Sequence, residues 1–184
     1  MGRFAIALLI GGGVLAWFGW KEYRLASACK PEVNRVTCAQ LATHGPGDNA
    51  NVEMSDFAFT NNYVYREAKG DSSKYAEAWV PAMPLESDYI KRVVAAIQAG
   101  GAAESVPLPS SEIRVIVKLK NVTSSDMDSF AQRDTLSGLV INEIESISGK
   151  QKSLLSESYP GIDLNQCYIL ELNRKPMSSG ASMG

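Results

Sequence analysis

The sequence predicts an α+β domain carried behind an apolar amino-terminal segment, and three observations predict it. No ionisable side chain occurs from Phe4 to Trp20. Ile90, Val93, Val94 and Ile97 recur at i, i+3, i+4 and i+7, the spacing of an amphipathic helix. Ile113, Val115, Val117 and Leu119 alternate with Arg114, Ile116 and Lys118, the pattern of a strand with one fully apolar face. The expected domain holds a mixed, roughly six-stranded sheet, an antiparallel meander followed by β-α-β-α-β, packed by helices. With 184 residues, 45% hydrophobic and 21% charged, the composition is that of an ordinary globular chain, which excludes wholesale disorder and collagen-like repeats. A net charge of −2 and a pI near 5.5 leave no basic stripe for a nucleic-acid partner.

The 17 residues from 4 to 20 would rise about 26 Å as a helix, enough to span a bilayer core with its flanks. Arg3 stands before them and Lys21, Glu22 and Arg24 after, while Trp17, Trp20 and Tyr23 gather where aromatic rings favour the headgroup layer. The reading that fits is an uncleaved single-pass anchor, with the lipid bilayer as its partner. Two alternatives are weighed against it. Ala26-Ser27-Ala28 has the small-x-small form of a signal-peptide cleavage site, and Ala26-Ser27-Ala28-Cys29 resembles a lipoprotein processing box that would lipidate Cys29. Charges before both sites, and the length of the apolar run, argue against them. Gly12 and Ala16 form a small-x-x-x-small pair, read here as a tolerated feature of a lone anchor rather than a helix-packing face. Four of the 18 basic residues and one of the 20 acidic ones fall in residues 1–30, so that segment carries +3 and the remainder −5. Lys21, Arg24, Lys30 and Arg35 follow the segment, so the positive-inside rule places the domain on the cytoplasmic side of the cell membrane.

The organisation expected is a short tail over 1–3, the anchor over 4–20, a juxtamembrane linker over 21–35, the domain over 36–175 and a flexible tail over 176–184. Thr37-Cys38-Ala39-Gln40 has capping-box spacing and opens a short helix that Gly45 closes. Gly45-Pro46-Gly47-Asp48-Asn49 is a turn. Val52, Met54, Phe57 and Phe59 predict a strand whose phase changes at Ser55-Asp56, as at a bulge. Tyr63–Glu67 and Tyr75–Ala82 complete the meander, with Pro81 and Pro84 stopping the last strand or holding it at an edge. Glu86–Ala99 is a helix capped by Ser87, with Ile90, Val93, Val94 and Ile97 inward, and Val106–Ser111 is an extended, mobile linker. A strand over 113–119, a helix from Ser124, a strand over Leu139–Ile144, a helix over Lys150–Glu157 and a strand over Cys167–Leu172 follow. Right-handed crossovers would make these strands parallel.

Each candidate chemistry meets a plainer explanation. Gly45-Pro46-Gly47-Asp48-Asn49-Ala50 spells G-x-G-x-x-A, but it follows a helix and opens a strand, the reverse of a dinucleotide site, so Asp48 and Asn49 are expected to bond nearby backbone. His44, the one histidine, could join Cys38 and Cys167 as zinc ligands, yet no paired ligand spacing supports this. His44 likewise lacks the strained nucleophile that a hydrolase needs. Cys38 and Cys167 could pair if the domain were exported; in the cytoplasm they are buried thiols. Glu143 and Glu145 flank Ile144 at i, i+2, the spacing of paired carboxylates and also of a solvated strand face. Asn121-Val122-Thr123 is a glycosylation sequon, relevant only in a secretory pathway. Tyr63, Tyr65, Tyr75 and Trp79 could form a cross-strand patch for a partner, with core packing favoured. No catalytic, cofactor-binding or metal residue is assigned.

Val36-Thr37-Cys38-Ala39-Gln40-Leu41 with Gly45-Pro46-Gly47-Asp48-Asn49, then Trp79-Val80-Pro81, then Ser158-Tyr159-Pro160-Gly161-Ile162-Asp163, together resemble uncharacterised bacterial single-pass, membrane-anchored proteins. That resemblance covers most of the soluble part and implies no activity. The function expected is a membrane-tethered, non-enzymatic interaction or assembly domain with a protein partner in or at the membrane. The alternatives are a membrane-bound enzyme using the 37–49 loop with His44 or using Glu143 and Glu145, and an exported binding lipoprotein anchored at Cys29.

Overall fold

In the computed structural model, the described residues are 17, 19–20, 23–24, 27–60, 63–141 and 149–175. They form eight strands in one sheet and four helices beyond residue 30: β1 (Asn34–Thr37), α1 (Cys38–His44), β2 (Asn51–Ser55), β3 (Phe57–Phe59), β4 (Val64–Ala68), β5 (Asp71–Pro84), α2 (Asp88–Gln98), β6 (Val115–Thr123), α3 (Ser124–Ala131), β7 (Thr135–Val140), α4 (Gly149–Ser158) and β8 (Tyr168–Leu172). Short 3-10 turns cover Ala103–Ser105 and Ser110–Glu112. Trp17, Gly19, Trp20, Tyr23, Arg24 and Ser27 are helical. No helix of the described residues is long and apolar enough to cross a membrane. The expected anchor over 4–20 lies outside those residues except at 17, 19 and 20, and the expected tail over 176–184 lies outside them entirely.

The local signals act as their chemistry requires. Thr37 and Gln40 make a reciprocal capping box, Gln40 N–H donating to Thr37 Oγ1 at 3.1 Å and Thr37 N–H to Gln40 Oε1 at 2.9 Å. Thr123 and Asp126 repeat the device at α3. Ser87 accepts from Ile90 N–H at the start of α2.

The sheet runs β1-β2-β7-β8-β6-β5-β3, with β4 also on β5. The β1–β2 and β6–β8 pairs are parallel; all others are antiparallel. β2 and β3 sit near opposite ends of that order, yet only Asp56 separates them. The sheet therefore curls until one bent strand, β2 with β3, pairs with β7 along its first half and with β5 along its second. The wall of the resulting partly open barrel is the bent β2/β3 strand, β7, β8, β6 and β5, with β1 and β4 added at its edges, a Greek-key arrangement of the OB kind by strand order alone. Helix α1 contacts β1 and β2 as well as β5 and β6, reaching across the interior, where Cys38 and Leu41 are wholly buried. Met127 and Phe130 of α3 join the same core. Gly138 lets β7 and β8 close up, since a Cβ there would meet Glu171 O at 2.2 Å.

Several expectations are corrected. The strands number eight, not six: Asn34–Thr37 forms β1, and the expected first strand divides into β2 and β3. β5 runs through Pro81 and lies inside the sheet, between β6 and the β3/β4 pair, rather than at an edge. Pro81 fits because its side of the strand faces the gap between β3 and β4, where its carbonyl accepts from Thr60 N–H at 3.1 Å. β7 covers 135–140, earlier than expected, and runs antiparallel to β8. An eight-residue helix rises about 12 Å while nine-residue β6 extends about 30 Å, so α3 cannot carry the chain back for a parallel return. The 106–111 segment is held between the two 3-10 turns, with Val106 and Leu108 packed on the outer core. On α2, Tyr89 rather than Ile97 is the buried side chain; Val94 and Ile97 are 45% and 53% exposed.

Asp56 adopts φ 53°, a left-handed conformation that Asp tolerates and a β-branched residue resists. Asp56→Val should lower unfolding free energy by about 1–2 kcal/mol, while Asp56→Gly stays near neutral, read from urea midpoints.

Candidate interaction surfaces

The outer face of the barrel is divided. Near the start of β6 it is apolar, with Trp79, Met83, Ile116, Tyr89, Leu155 and Tyr159 packed together under α2 and α4. Farther along it carries a charge ladder. Register puts Lys118 beside Glu171 and Lys120 opposite Glu77, so alternating signs face one another across three strands. Lys118 Nζ lies 3.6 Å from Glu77 Oε1 and 3.5 Å from Glu171 Oε2. Lys120 Nζ lies 2.7 Å and Arg174 Nη1 3.4 Å from the Glu171 carboxylate. Arg66 and Gln151 complete the Glu77 carboxylate, each 3.0 Å from Oε2. Glu171 is only 4% exposed, so its three cations replace the water that burial removes.

Two cavities open at the same level. One, of about 500 Å³, is lined by Phe130, Arg133, Asp134, Ser137 and Asn173 among others, with the Arg133 guanidinium 4.4 Å over the Phe130 ring. The other, of about 450 Å³, is lined by Lys120, Glu171, Asn173 and Arg174 beside Leu119 and Val122. Its two cations both serve Glu171, so the cavity presents no surplus charge to an anion.

A third surface is aromatic. Tyr63, immediately before β4, and Tyr65, on it, lie on one side, and Tyr75 of β5 joins them; Tyr63 and Tyr75 are partly buried against the inner core, as the expectation of core packing had it. Ring centroids are 5.9 Å apart for Tyr63–Tyr65, 6.1 Å for Tyr63–Tyr75 and 4.4 Å for Tyr65–Tyr75. The Tyr63 and Tyr75 hydroxyls are 3.5 Å apart, and that bond, with partial burial and the Asp128 charge, pushes the Tyr63 phenol up to about 12. Tyr65 is 46% exposed. Trp79 does not belong to this patch; it is buried on the outer core, which corrects the expectation that grouped all four.

The 45–51 turn fastens the segment that enters the domain. Asn49 Oδ1 accepts from Lys30 N–H and from Asn51 N–H, both at 3.0 Å, while Asn49 Nδ2 donates to Glu32 O at 2.6 Å. Asn51 Nδ2 donates to Lys30 O at 3.3 Å, Asn34 Nδ2 to Pro46 O at 3.1 Å and Ala50 N–H to Ala28 O at 2.9 Å. Lys30 pairs with Asp48, which holds that carboxylate below its usual range. Gly45, at φ 71°, lies against the Tyr168 ring with no room for a Cβ. The turn follows α1 and opens β2, the reverse of the strand-then-helix order of a dinucleotide site.

The remaining candidates are dispersed. Cys38 faces the barrel interior and Cys167 the outer core, so the sheet separates them; neither a disulfide nor a zinc set with His44 forms. His44 ends α1 and lines neither cavity. Cys29 packs against Leu139, Ile141 and Ile169. Among the described residues no three His, Cys, Asp or Glu side chains converge as metal ligands. Glu143 and Glu145 lie outside the described residues. The charge ladder escaped sequence reasoning, although Glu171 inside the apolar run Tyr168–Leu172 was its signal. A scan against protein-family models, a search of curated proteins and a search of solved structures each find no match to the chain.

Burial pushes the Cys38 thiol up to about 12, the Cys167 thiol to about 11 and the Cys29 thiol above its ordinary value. At pH 8, Cys38 and Cys167 should resist an aromatic disulfide reagent in the folded chain and react together at the urea midpoint. Replacing Lys118 with Met leaves Glu77 and Glu171 facing each other without their shared cation. The loss should be about 2–4 kcal/mol, measured by urea unfolding.

Proposed function

We propose that the chain is a membrane-tethered, non-enzymatic interaction or assembly domain, held by residues 4–20 and offering the Tyr63–Tyr65–Tyr75 cluster to a protein partner. The observation that carries this reading is the cluster itself. Three mutually packed rings stand where β4 meets β5, Tyr65 exposed and Tyr63 and Tyr75 partly buried, beside an edge of β4 that pairs with no other strand among the described residues, and rigid aromatic side chains supply contact area at low entropic cost. The clamp on Ala28–Glu32 supports the tether, because it ties the entering segment to the barrel rather than leaving a loose linker. The basic residues that follow the apolar run favour the cytoplasmic side for the domain.

The lipoprotein alternative fits less well. Lipidation needs Cys29 as the new amino terminus with its sulfur free, whereas the side chain is half-buried against Leu139, Ile141 and Ile169 and Ala28 O is engaged by Ala50 N–H. The enzyme alternative draws no support from His44, which stands apart from the cavities and from both buried thiols.

The test is co-purification of the full chain in mild detergent, beside a Tyr63→Ser/Tyr65→Ser variant. The wild type should retain a stoichiometric partner, and the variant should lose it about tenfold or more at unchanged thermal unfolding. Recovery of the wild type as a lone monomer, or equal retention by the variant, would sink the reading.

A further inference from the structure

Exposed large apolar side chains are concentrated at one end of this barrel. Strand directions define that end: β1, β2, β6 and β8 begin there, and β5 and β7 finish there. Leu85 follows β5 at that end, and Val94 and Ile97 lie on α2, whose main neighbour is the Ala103–Ser105 turn rather than a strand. Val33, immediately before β1, is exposed as well. So are Trp17, Trp20 and Tyr23, which precede the clamp at the same end. Of the large apolar side chains exposed among the described residues, only Tyr65 belongs elsewhere.

Chain length decides what covers them. Tyr23 and Arg24 are helical, and Ala28 N–H donates to Arg24 O at 3.1 Å, closing a helical turn onto the clamp. Tyr23 therefore precedes Ala28 by about 8 Å. Trp20 and Tyr23 stack at 6.2 Å between centroids, an aromatic pair suited to the headgroup layer. With residues 4–20 in the bilayer, Arg24 O bonded to Ala28 N–H and Ala28 O to Ala50 N–H, the end of the barrel must lie within a turn or two of helix from the headgroups. That leaves no depth for a globular partner between barrel and lipid.

We propose that this end of the barrel rests on the bilayer, with Leu85, Val94 and Ile97 of the α2 region entering the headgroup boundary as a second, monotopic contact. The inference rests on the membrane tether proposed above and extends it: the anchor sets the distance, and the apolar edge of α2 sets the tilt. It also explains why α2 keeps an amphipathic pattern while the barrel buries only Tyr89 from it completely. The tyrosine cluster lies toward the far end, beside α3, and so faces away from the lipid.

The test uses the full chain in a Cys29→Ala background, reconstituted in phosphatidylcholine vesicles with a minority of phosphatidylglycerol. An environment-sensitive fluorophore is placed at Ile97→Cys, at Val94→Cys as a second position, and at Lys69→Cys in the far β4–β5 turn. Nitroxide lipids should quench positions 94 and 97 about twofold or more beyond position 69, because a monotopic face sinks about 5–10 Å into the boundary. Resistance to alkaline carbonate extraction reports the tether separately. A chain that resists extraction but shows equal, water-exposed labels overturns this inference and leaves the tether standing. Labels at 94 and 97 that are shielded from water yet unquenched by lipid assign the strip to a protein, a second copy included, and also overturn it. A chain that extracts freely overturns the tether and this contact with it.

Discussion

The closure of the barrel through a single residue is the constraint on which the rest of this structure depends. Asp56 joins β2 to β3 and so binds two distant positions in the strand order into one bent strand. Once that link is fixed, the sheet has to curl, and its two faces become an inside and an outside. Inside, Val52, Met54, Val80, Val117, Leu136 and Leu170 from successive strands meet one another and α1. Leu85 N–H bonds to Asp56 O at 3.1 Å, so the same residue also fixes where β5 ends and the α2 excursion begins.

Closure explains the unusual use of the outer face. A barrel interior takes only one side of each strand, so the other side needs a separate solution. This chain uses two. Over the lower half, α2 and α4 cover Trp79 and Ile116 with an apolar layer. Over the upper half, paired charges on adjacent strands satisfy one another without a helix above them, and Gln151 of α4 reaches the edge of that network. Such a ladder contributes little net stability when its partners are complete, since desolvation offsets attraction. Its physical consequence is register. A slip of one residue would place Lys118 and Glu171 inside the barrel, at a cost far above that of an apolar mismatch.

What the sequence made legible were the features written in local chemistry. The Thr37/Gln40 capping box, the Ser87 cap and the change of phase at Ser55-Asp56 each depend on neighbours within four residues, and each is found where the pattern put it. The features that escaped depend on distant partners. Pro81 marks an edge by its own chemistry, but here it faces a gap that only the β3–β4 break creates. The strand that begins at Thr135 is hidden because Ser137 and Gly138 interrupt its apolar run, and Gly138 is there for the close approach of Glu171 O. The short α3 disguised an antiparallel return as a parallel crossover, since helix length rather than helix presence decides direction. Glu171 carries no local mark of its role, because two of its three cations come from 118 and 120. Of the aromatic patch, Tyr63, Tyr65 and Tyr75 were readable from spacing. Trp79 leaves the patch because it pairs with Val64, on the face opposite Tyr63 and Tyr65, while the register shifts of β4 against β5 bring Tyr75 to theirs.

The polar turn at 45–51 gains a meaning from this arrangement that its motif did not suggest. Its asparagines spend their bonding capacity on Lys30 and Glu32, which lie before the first strand, rather than on a ligand. Under the tether proposed above, a turn that binds its own chain upstream makes the tether a mount. A flexible linker would let the barrel sample any orientation and would leave encounter with a partner to diffusion. A mount fixes which end of the barrel faces the attachment and which faces away, and it reduces the orientational freedom that any complex would otherwise have to surrender. In that proposal the exposed edge of α2 and the tyrosine cluster are complementary features, one toward the attachment and one away from it. A barrel joined through Asp56 holds the two apart more firmly than an open sheet would, because β5 carries Tyr75 near its start and leads into α2 at its other end.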